Sequence, residues 1–148
     1  MGAERKEEMS SSTEETLIVI KPDGVRRGLV GEIVARFERK GFEIKKLQMQ
    51  TMSKALAEEF YSVHKDKPFF GELVTFITSG PVVGVVLSGR DAVATARRMV
   101  GTTKSWEAPA GTIRGDLSLG YTDNTIHASD SAESFTKESG VFFGKTRG

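Results

Sequence analysis

Apolar residues along the chain fall into two rhythms, and the changes of rhythm mark the elements. Residues 16–20 (TLIVI) are a β-branched run closed by Pro22, Asp23 and Gly24, which predicts a strand buried on both faces and ending in a turn. Leu29, Ile33 and Phe37 then recur every four residues beside Val30 and Val34, with Gly41 behind them. That spacing predicts an amphipathic helix over about 29–40 with a left-handed stop. Phe42 and Ile44 alternate, slip once, and resume at Leu47 and Met49, the pattern of a strand with a bulge. Ser53 is placed to cap a helix with a buried stripe of Leu56, Phe60 and Val63, as a short hydroxyl side chain does at an N-terminus. Pro68 suits the first turn of another, striped by Phe70, Leu73, Val74 and Ile77. After Gly80 and Pro81, Val82 to Leu87 reads as a buried strand and Asp91 to Val100 as a helix closed by Gly101. Residues 102–123 are irregular and rich in Gly, Thr and Ser; a loop that long inside a compact domain is either functional or a sign of a misassigned element. Asn124 to Ala128 reads as a short strand, and Asp130 to Glu133 has the D-x-x-E form of a capping box opening a last helix.

Leaving out the inserted pair of helices after Ser53 and Pro68, the order is β-α-β-β-α-β. The predicted fold class is therefore α+β: ferredoxin-like, a four-stranded antiparallel sheet with helices on its faces and an inserted helical pair. Residues 1–15 carry charges and serines without an apolar core, which predicts a flexible N-terminal tail ahead of a single domain over 16–148. Such a start does not read as a secretory signal, and the longest apolar run, Val82 to Leu87, is too short to span a bilayer. The expectation is a soluble, cytoplasmic protein that uses no membrane.

Composition narrows the chemistry. With 38% apolar and 28% charged residues, the 148-residue chain has the make-up of one globular domain. Its 21 basic and 20 acidic residues leave a net charge of +1, which argues against a nucleic-acid coat or a polybasic anchor. Cysteine is absent, so disulfides, thiol catalysis and thiolate zinc sites are excluded. Any imidazole chemistry falls to one of the two histidines, His64 or His127.

Residues 140–146 (GVFFGKT) imitate a phosphate-binding P-loop, but three residues instead of four separate the glycines, and no helix can follow so near the end. The informative segment is 124–131 (NTIHASDS). In a strand, Thr125, His127 and Ser129 would share one face and Asn124, Ile126 and Ala128 the other. On the helix that follows, Glu138 lies three residues from Phe135 on its inward side, and a partly buried carboxylate needs a partner. Ser129 and His127 are within reach, and such bonding would fix the ring's tautomer. A neutral imidazole already offers a free nucleophilic nitrogen, so it can accept a phosphoryl group without a base, provided cations neutralise the phosphate. A lone histidine is more often structural, and both readings stay open at this point. Arg97 falls beside a buried stripe, Arg114 stands among glycines in residues 111–116 (GTIRGD), and Lys21 follows a buried strand. For Arg114 and Lys21 a plain turn residue is an equal or better reading. Phe69 is left off its helix's stripe, free to stack on a base or to meet another subunit. Tyr61 and His64 share a helical face.

Six stretches, residues 20–25 (IKPDGV), 27–33 (RGLVGEI), 67–70 (KPFF), 79–82 (SGPV), 111–116 (GTIRGD) and 124–131, resemble, in order, the nucleoside diphosphate kinase family. The resemblance runs from about Thr16 to Phe143. It implies transfer of the γ-phosphate of a nucleoside triphosphate, typically ATP, to a nucleoside diphosphate by a ping-pong route, with His127 transiently phosphorylated on Nδ1. It implies that Glu138 and Ser129 orient the ring. Lys21 and Asn124, with Tyr61 beside them, would meet the ribose and the reacting phosphate. His64, Arg97, Thr103 and Arg114 would contact phosphates, and Phe69 would stack on the base. Mg²⁺ is the implied cofactor, bridging nucleotide phosphates, with Asp130 contributing through water; the capping box gives Asp130 a structural role as well. Residues 104–123 match the family's nucleotide-covering loop.

The chain departs from the family pattern in places. Ala128 replaces the usual Gly after the histidine, Lys104 and Ser105 replace an Asn-Pro, and Ala110 replaces a Pro, all of which bear on loop rigidity. Tyr121 stands where the second wall of the base site is often smaller. The implied partners are nucleoside di- and triphosphates and a homo-oligomer, tetramer or hexamer; nucleic acid is not required. Two rivals remain from the sequence: a single-strand-binding module built on Phe69, Arg97 and Arg114, and a phosphohistidine relay protein.

Overall fold

The computed structural model describes residues 13–144. Strand β1 (Thr13–Ile20) runs into a short helix α1 (Pro22–Arg26), and α2 (Val30–Lys40) follows. Edge strand β2 (Glu43–Gln50) leads to α3 (Lys54–Phe60), a 3₁₀ turn (Ser62–His64) and α4 (Phe70–Ile77). Then come β3 (Val82–Arg90), α5 (Ala92–Val100), a second 3₁₀ turn (Ser105–Glu107), α6 (Ile113–Leu117), β4 (Ile126–Ala128) and α7 (Ala132–Phe143). The sheet order is β2-β3-β1-β4, with every pairing antiparallel. This is the expected α+β architecture.

Both faces of the sheet are covered, because alternate residues of β1 feed two cores. Ile18 and Ile20 pack with Ile33, Phe37 and Val100 beneath α2 and α5. Leu17 and Val19 pack with Phe60, Val74 and Phe142 beneath the inserted helices and α7. Gly84 makes the second packing possible: a Cβ there would lie 2.4 Å from Phe142 Cε1.

Several expectations shift in detail. β1 begins at Thr13 instead of Thr16, paired from Thr13 opposite Arg90; the rest of the tail expected over 1–15 lies outside the described residues. The turn expected at Pro22 is the first turn of α1, which a proline at that position favours. The bulge in β2 falls between Ile44 and Lys46. Ser53 caps α3 by accepting from Leu56 N at 3.1 Å. Val63, however, is 69% exposed; α3 stops at Phe60, and the tighter 3₁₀ turn rotates Val63 away from the stripe. The capping box is displaced by one residue: Ser131 is the N-cap of α7 and accepts from Ser134 N at 3.0 Å.

Candidate functional site

His127 lies on β4 directly opposite Val19. Ile126 and Ala128 point into the core under α2 and α5, so the alternation of the strand turns His127 toward α3 and α7. There the Phe60 and Tyr61 rings meet it edge-on at 5.2 and 6.3 Å between centroids. Glu138 of α7 holds one ring nitrogen: Oε1 lies 2.8 Å from His127 Nε2 and accepts from Ser129 Oγ at 2.7 Å. Burial raises the Glu138 pKa, yet the bonds from His127 and Ser129 hold it below the usual carboxylate range. An ionised carboxylate only accepts, so Nε2 carries a proton, and in the neutral ring the lone pair is then on Nδ1.

The strand alternation predicted from the sequence fails one residue earlier. Thr125 has φ +75°, a conformation rarely adopted by a β-branched residue. It is held there by its hydroxyl donating to Asp23 Oδ2 at 3.2 Å and its carbonyl accepting from Lys21 N at 2.8 Å. That twist brings Asn124 to the same cavity as His127. Asn124 Oδ1 accepts from Lys21 Nζ at 2.9 Å and its Nδ2 donates to the Thr103 carbonyl at 3.3 Å.

Lys21 is no turn lysine but is buried; burial, then the Arg114 charge, lowers its pKa to about 8. Arg114 is buried as well and donates to three backbone carbonyls: Asn124 at 3.3 Å, Gly101 at 3.0 Å and Ile126 at 2.6 Å. Burial, then Arg97, brings its pKa down to about 10. The glycine after it is required by packing, since a Cβ on Gly115 would fall 1.9 Å from the Pro109 carbonyl oxygen. Arg97, beside its helix's buried stripe, is exposed, but its Nη1 donates to the Ala128 carbonyl at 3.2 Å. Tyr61 is buried, which, with the Glu138 charge, pushes its phenol well up.

Lys21, Tyr61, His64, Phe69, Arg97, Thr103, Arg114, Tyr121, Asn124, His127, Asp130 and Glu138 all line one cavity of about 360 Å³. Ser129 lies fully buried behind it. The Phe69 and Tyr121 rings are 38% and 50% exposed, with the His64 ring 5.6 Å from Phe69. Asp130 Oδ1 accepts from Ser134 Oγ at 2.6 Å, which keeps its carboxyl low. Among the described residues no group of three His, Asp or Glu side chains is disposed to hold a metal. A cation would therefore be carried largely by a ligand's phosphates, with Asp130 the cavity carboxylate not engaged by His127. Sequence reasoning missed Thr122 and Ser134, which also line the cavity. Ser134 was legible as the residue four after Asp130; Thr122 had no periodic signal.

A nucleophilic nitrogen facing buried cations, in a cavity walled by aromatics, defines a protein that handles phosphorylated aromatic ligands. The profile of the nucleoside diphosphate kinase family matches residues 14–147. A nucleoside diphosphate kinase of Staphylothermus marinus is 57% identical over 89% of this chain and 94% of its own length. One of Exiguobacterium sibiricum is 53% identical over 88% and 94%. Among solved structures, the Aquifex aeolicus enzyme superposes with a TM-score of 0.88 at 42% identity, covering 92% of this chain and 99% of that one. The Halobacterium salinarum enzyme, solved in complex with CDP, does so with a TM-score of 0.86 at 43% identity, covering 90% of each chain. The chain belongs to the nucleoside diphosphate kinase family. Its members are phosphotransferases.

Proposed function

We propose that this chain, as one catalytic domain, moves the γ-phosphate of a nucleoside triphosphate, typically ATP, to nucleoside diphosphates through phospho-His127. The observation that carries the reading is the pairing of His127 Nε2 with Glu138. It leaves the Nδ1 lone pair for the cavity that Lys21, Arg97 and Arg114 also line. In the first half-reaction Nδ1 attacks the γ-phosphorus and an N–P bond forms. The bond from that phosphorus to the β-phosphate oxygen breaks, and the diphosphate leaves with the electron pair. The proton on Nε2 stays, and the Glu138 carboxylate stabilises the cationic ring. A second diphosphate reverses these steps.

Arg97, Arg114, His64 and Thr103 would hold the phosphates, and Lys21 and Asn124, beside Tyr61, the ribose and the transferring group. The nucleotide's own 3′-hydroxyl would assist transfer. Phe69, with Tyr121 in the same cavity, would stack on the base; stacking reads a ring face rather than its edge, so broad base use follows. Mg²⁺, brought in with the nucleotide and held by Asp130 through water, would supply neutralising charge to the phosphates. We place the enzyme in the cytoplasm with its nucleotide substrates, working as a homo-oligomer, tetramer or hexamer. β2, an edge strand among the described residues with Leu47 and Met49 52% and 55% exposed, supports subunit contact. No helix among the described residues is long and apolar enough to cross a membrane.

The test is a labelled chase. Protein incubated with γ-labelled ATP and Mg²⁺ is expected to carry acid-labile label that moves to an added second diphosphate, and the His127→Ala variant to carry none. Label that never chases would favour a relay protein, and no label a binding module.

A further inference from the structure

Asp23 is buried in the first turn of α1, and no step of the proposed transfer uses it. A carboxylate is rarely sunk so far without a partner, and its two oxygens are treated differently. Oδ2 accepts from Thr125 Oγ1 at 3.2 Å, across 102 positions of sequence. Oδ1 is shut off from solvent and accepts no hydrogen bond among the described residues. Thr125 is itself fully buried, with its φ at +75°, and its carbonyl accepts from the Lys21 N–H at 2.8 Å. Beside it stands Asn124, whose Oδ1 takes the Lys21 ammonium at 2.9 Å. Lys21, Asp23, Asn124 and Thr125 thus close a ring of contacts between the start of α1 and the approach to β4. Thr125 is the joint of that ring: its hydroxyl is tied to Asp23, and its backbone angle decides where Asn124 stands.

Charge runs along the same ring. The hydrogen bonds of the buried Lys21 ammonium go to uncharged oxygens, those of Asn124 and the Thr122 carbonyl. Burial, then Arg114, favour the neutral amine, and Asp23, then Asp123, oppose them. Asp123 is exposed, where water screens its pull, whereas Asp23 acts from the interior. Asp23 shares its outer groove with Arg27, Asp116 and Asp123, while His64, Arg97, His127 and Glu138 share the cavity with Lys21. We propose that Asp23 is a positioning residue of the phosphate site: through Thr125 it sets Asn124 in the cavity, and it supplies the buried negative charge that the Lys21 ammonium needs there. This role rests on the nucleoside diphosphate kinase reading of the cavity. Its two parts are separable, because the bond to Thr125 needs only an acceptor and the hold on Lys21 needs a full charge.

The test uses Asp23→Asn and Thr125→Val in the full chain. Asp23→Asn keeps the shape and an acceptor for the Thr125 hydroxyl but removes the charge. Its nucleotide KM is expected to lie near wild type at pH 6 and to exceed it about fivefold at pH 8, as follows when a lysine that titrates at about 8 does so about one pH unit lower. NMR of lysine labelled at Cε with carbon-13 reads the same change without nucleotide, with Lys21→Met to assign the signal. Thr125→Val keeps the branched shape and loses the hydroxyl. It should leave the Lys21 titration in place and slow phosphoenzyme formation about fivefold at every pH, the loss of one hydrogen bond; Thr125→Ser should restore the rate. Asp23 is no positioning residue if the Asp23→Asn KM follows the wild-type pH curve with Lys21 titrating unmoved, or if Thr125→Val reacts at the wild-type rate. Labelling of His127 by γ-labelled ATP, run in parallel, separates the two failures. If the wild type takes no label the kinase reading falls, and the NMR titration alone then decides for or against Asp23.

Discussion

At the scale of single residues, Glu138 carries the most chemistry per atom. One of its oxygens accepts from both His127 and Ser129, so the ring is oriented and its proton fixed by a single ionised group. Glu138→Gln keeps the shape but removes the charge that, in the proposed function, would stabilise a phosphorylated, cationic ring. Phosphoenzyme formation is expected to fall by about 10²–10³-fold, as when one preorganised electrostatic group is lost, with the circular-dichroism spectrum intact; near wild-type single-turnover rates would refute the role.

Lys21 makes a pH argument. Its pKa in the folded chain, about 8, lies below the ordinary lysine value of 10.5. Between those values the unfolded chain binds more protons, so Lys21 makes folding more favourable as pH rises through that window and costs stability below it. The proposed function runs the other way, since there the ammonium would attract phosphate. Nucleotide KM is therefore expected to climb as pH passes about 8, and Lys21→Met to abolish that climb while flattening the stability gain between pH 8 and 10.5; a KM flat to pH 9.5 would remove Lys21 from nucleotide binding.

At the scale of elements, Gly84, Val19 and His127 form one row across three strands. The missing side chain at the first seats the Phe142 ring, and with it the helix that carries Glu138 one turn earlier. Gly84→Ala is expected to cost about 1–3 kcal/mol by overpacking and to slow transfer as well, because α7 must rise off the sheet. Denaturant midpoints and initial rates measured on the same preparation check this; lost stability at full rate would show that Glu138 tolerates the shift.

The periodic parts of this framework were readable in the sequence. The stripes of Ile33 and Phe37, or Val74 and Ile77, need only a period and a burial face, and the Ser53 cap needs only a hydroxyl at the right place. What was not readable depended on distant partners. Nothing near Thr125 announces its positive φ, which is imposed by Asp23 and Lys21 about a hundred positions away, and that backbone twist puts Asn124 into the cavity. The helix around Arg114 was hidden in a glycine-rich run although Thr112 caps it, accepting from Gly115 N at 2.9 Å. His127 and Glu138, by contrast, lie so close in sequence that strand and helix geometry alone made their meeting foreseeable.

For the whole molecule, a net charge of +1 conceals an uneven distribution. Lys21, Arg97 and Arg114 converge on one cavity, while Arg36 is spent on Glu32 and Asp116 at 2.9 Å each and Lys45 on Glu43 at 3.1 Å. At the far side of the sheet, β2 is an edge strand among the described residues, with Leu47 and Met49 exposed, a surface that isolated proteins usually blunt. The Leu47→Lys, Met49→Glu double variant is expected to shift the assembly toward smaller species in light scattering coupled to gel filtration. An unchanged mass would assign the contact to another surface.

The three carbonyls held by Arg114 come from two places: the end of α5 at Gly101, and the approach to and start of β4 at Asn124 and Ile126. The cation that would grip phosphate is thus assembled from the same short edge strand that carries the nucleophile. If those three strand residues fray, grip and nucleophile are lost in one event. Under the proposed function, loosening of β4 is therefore expected to weaken phosphate binding and phosphoryl acceptance together, never either alone.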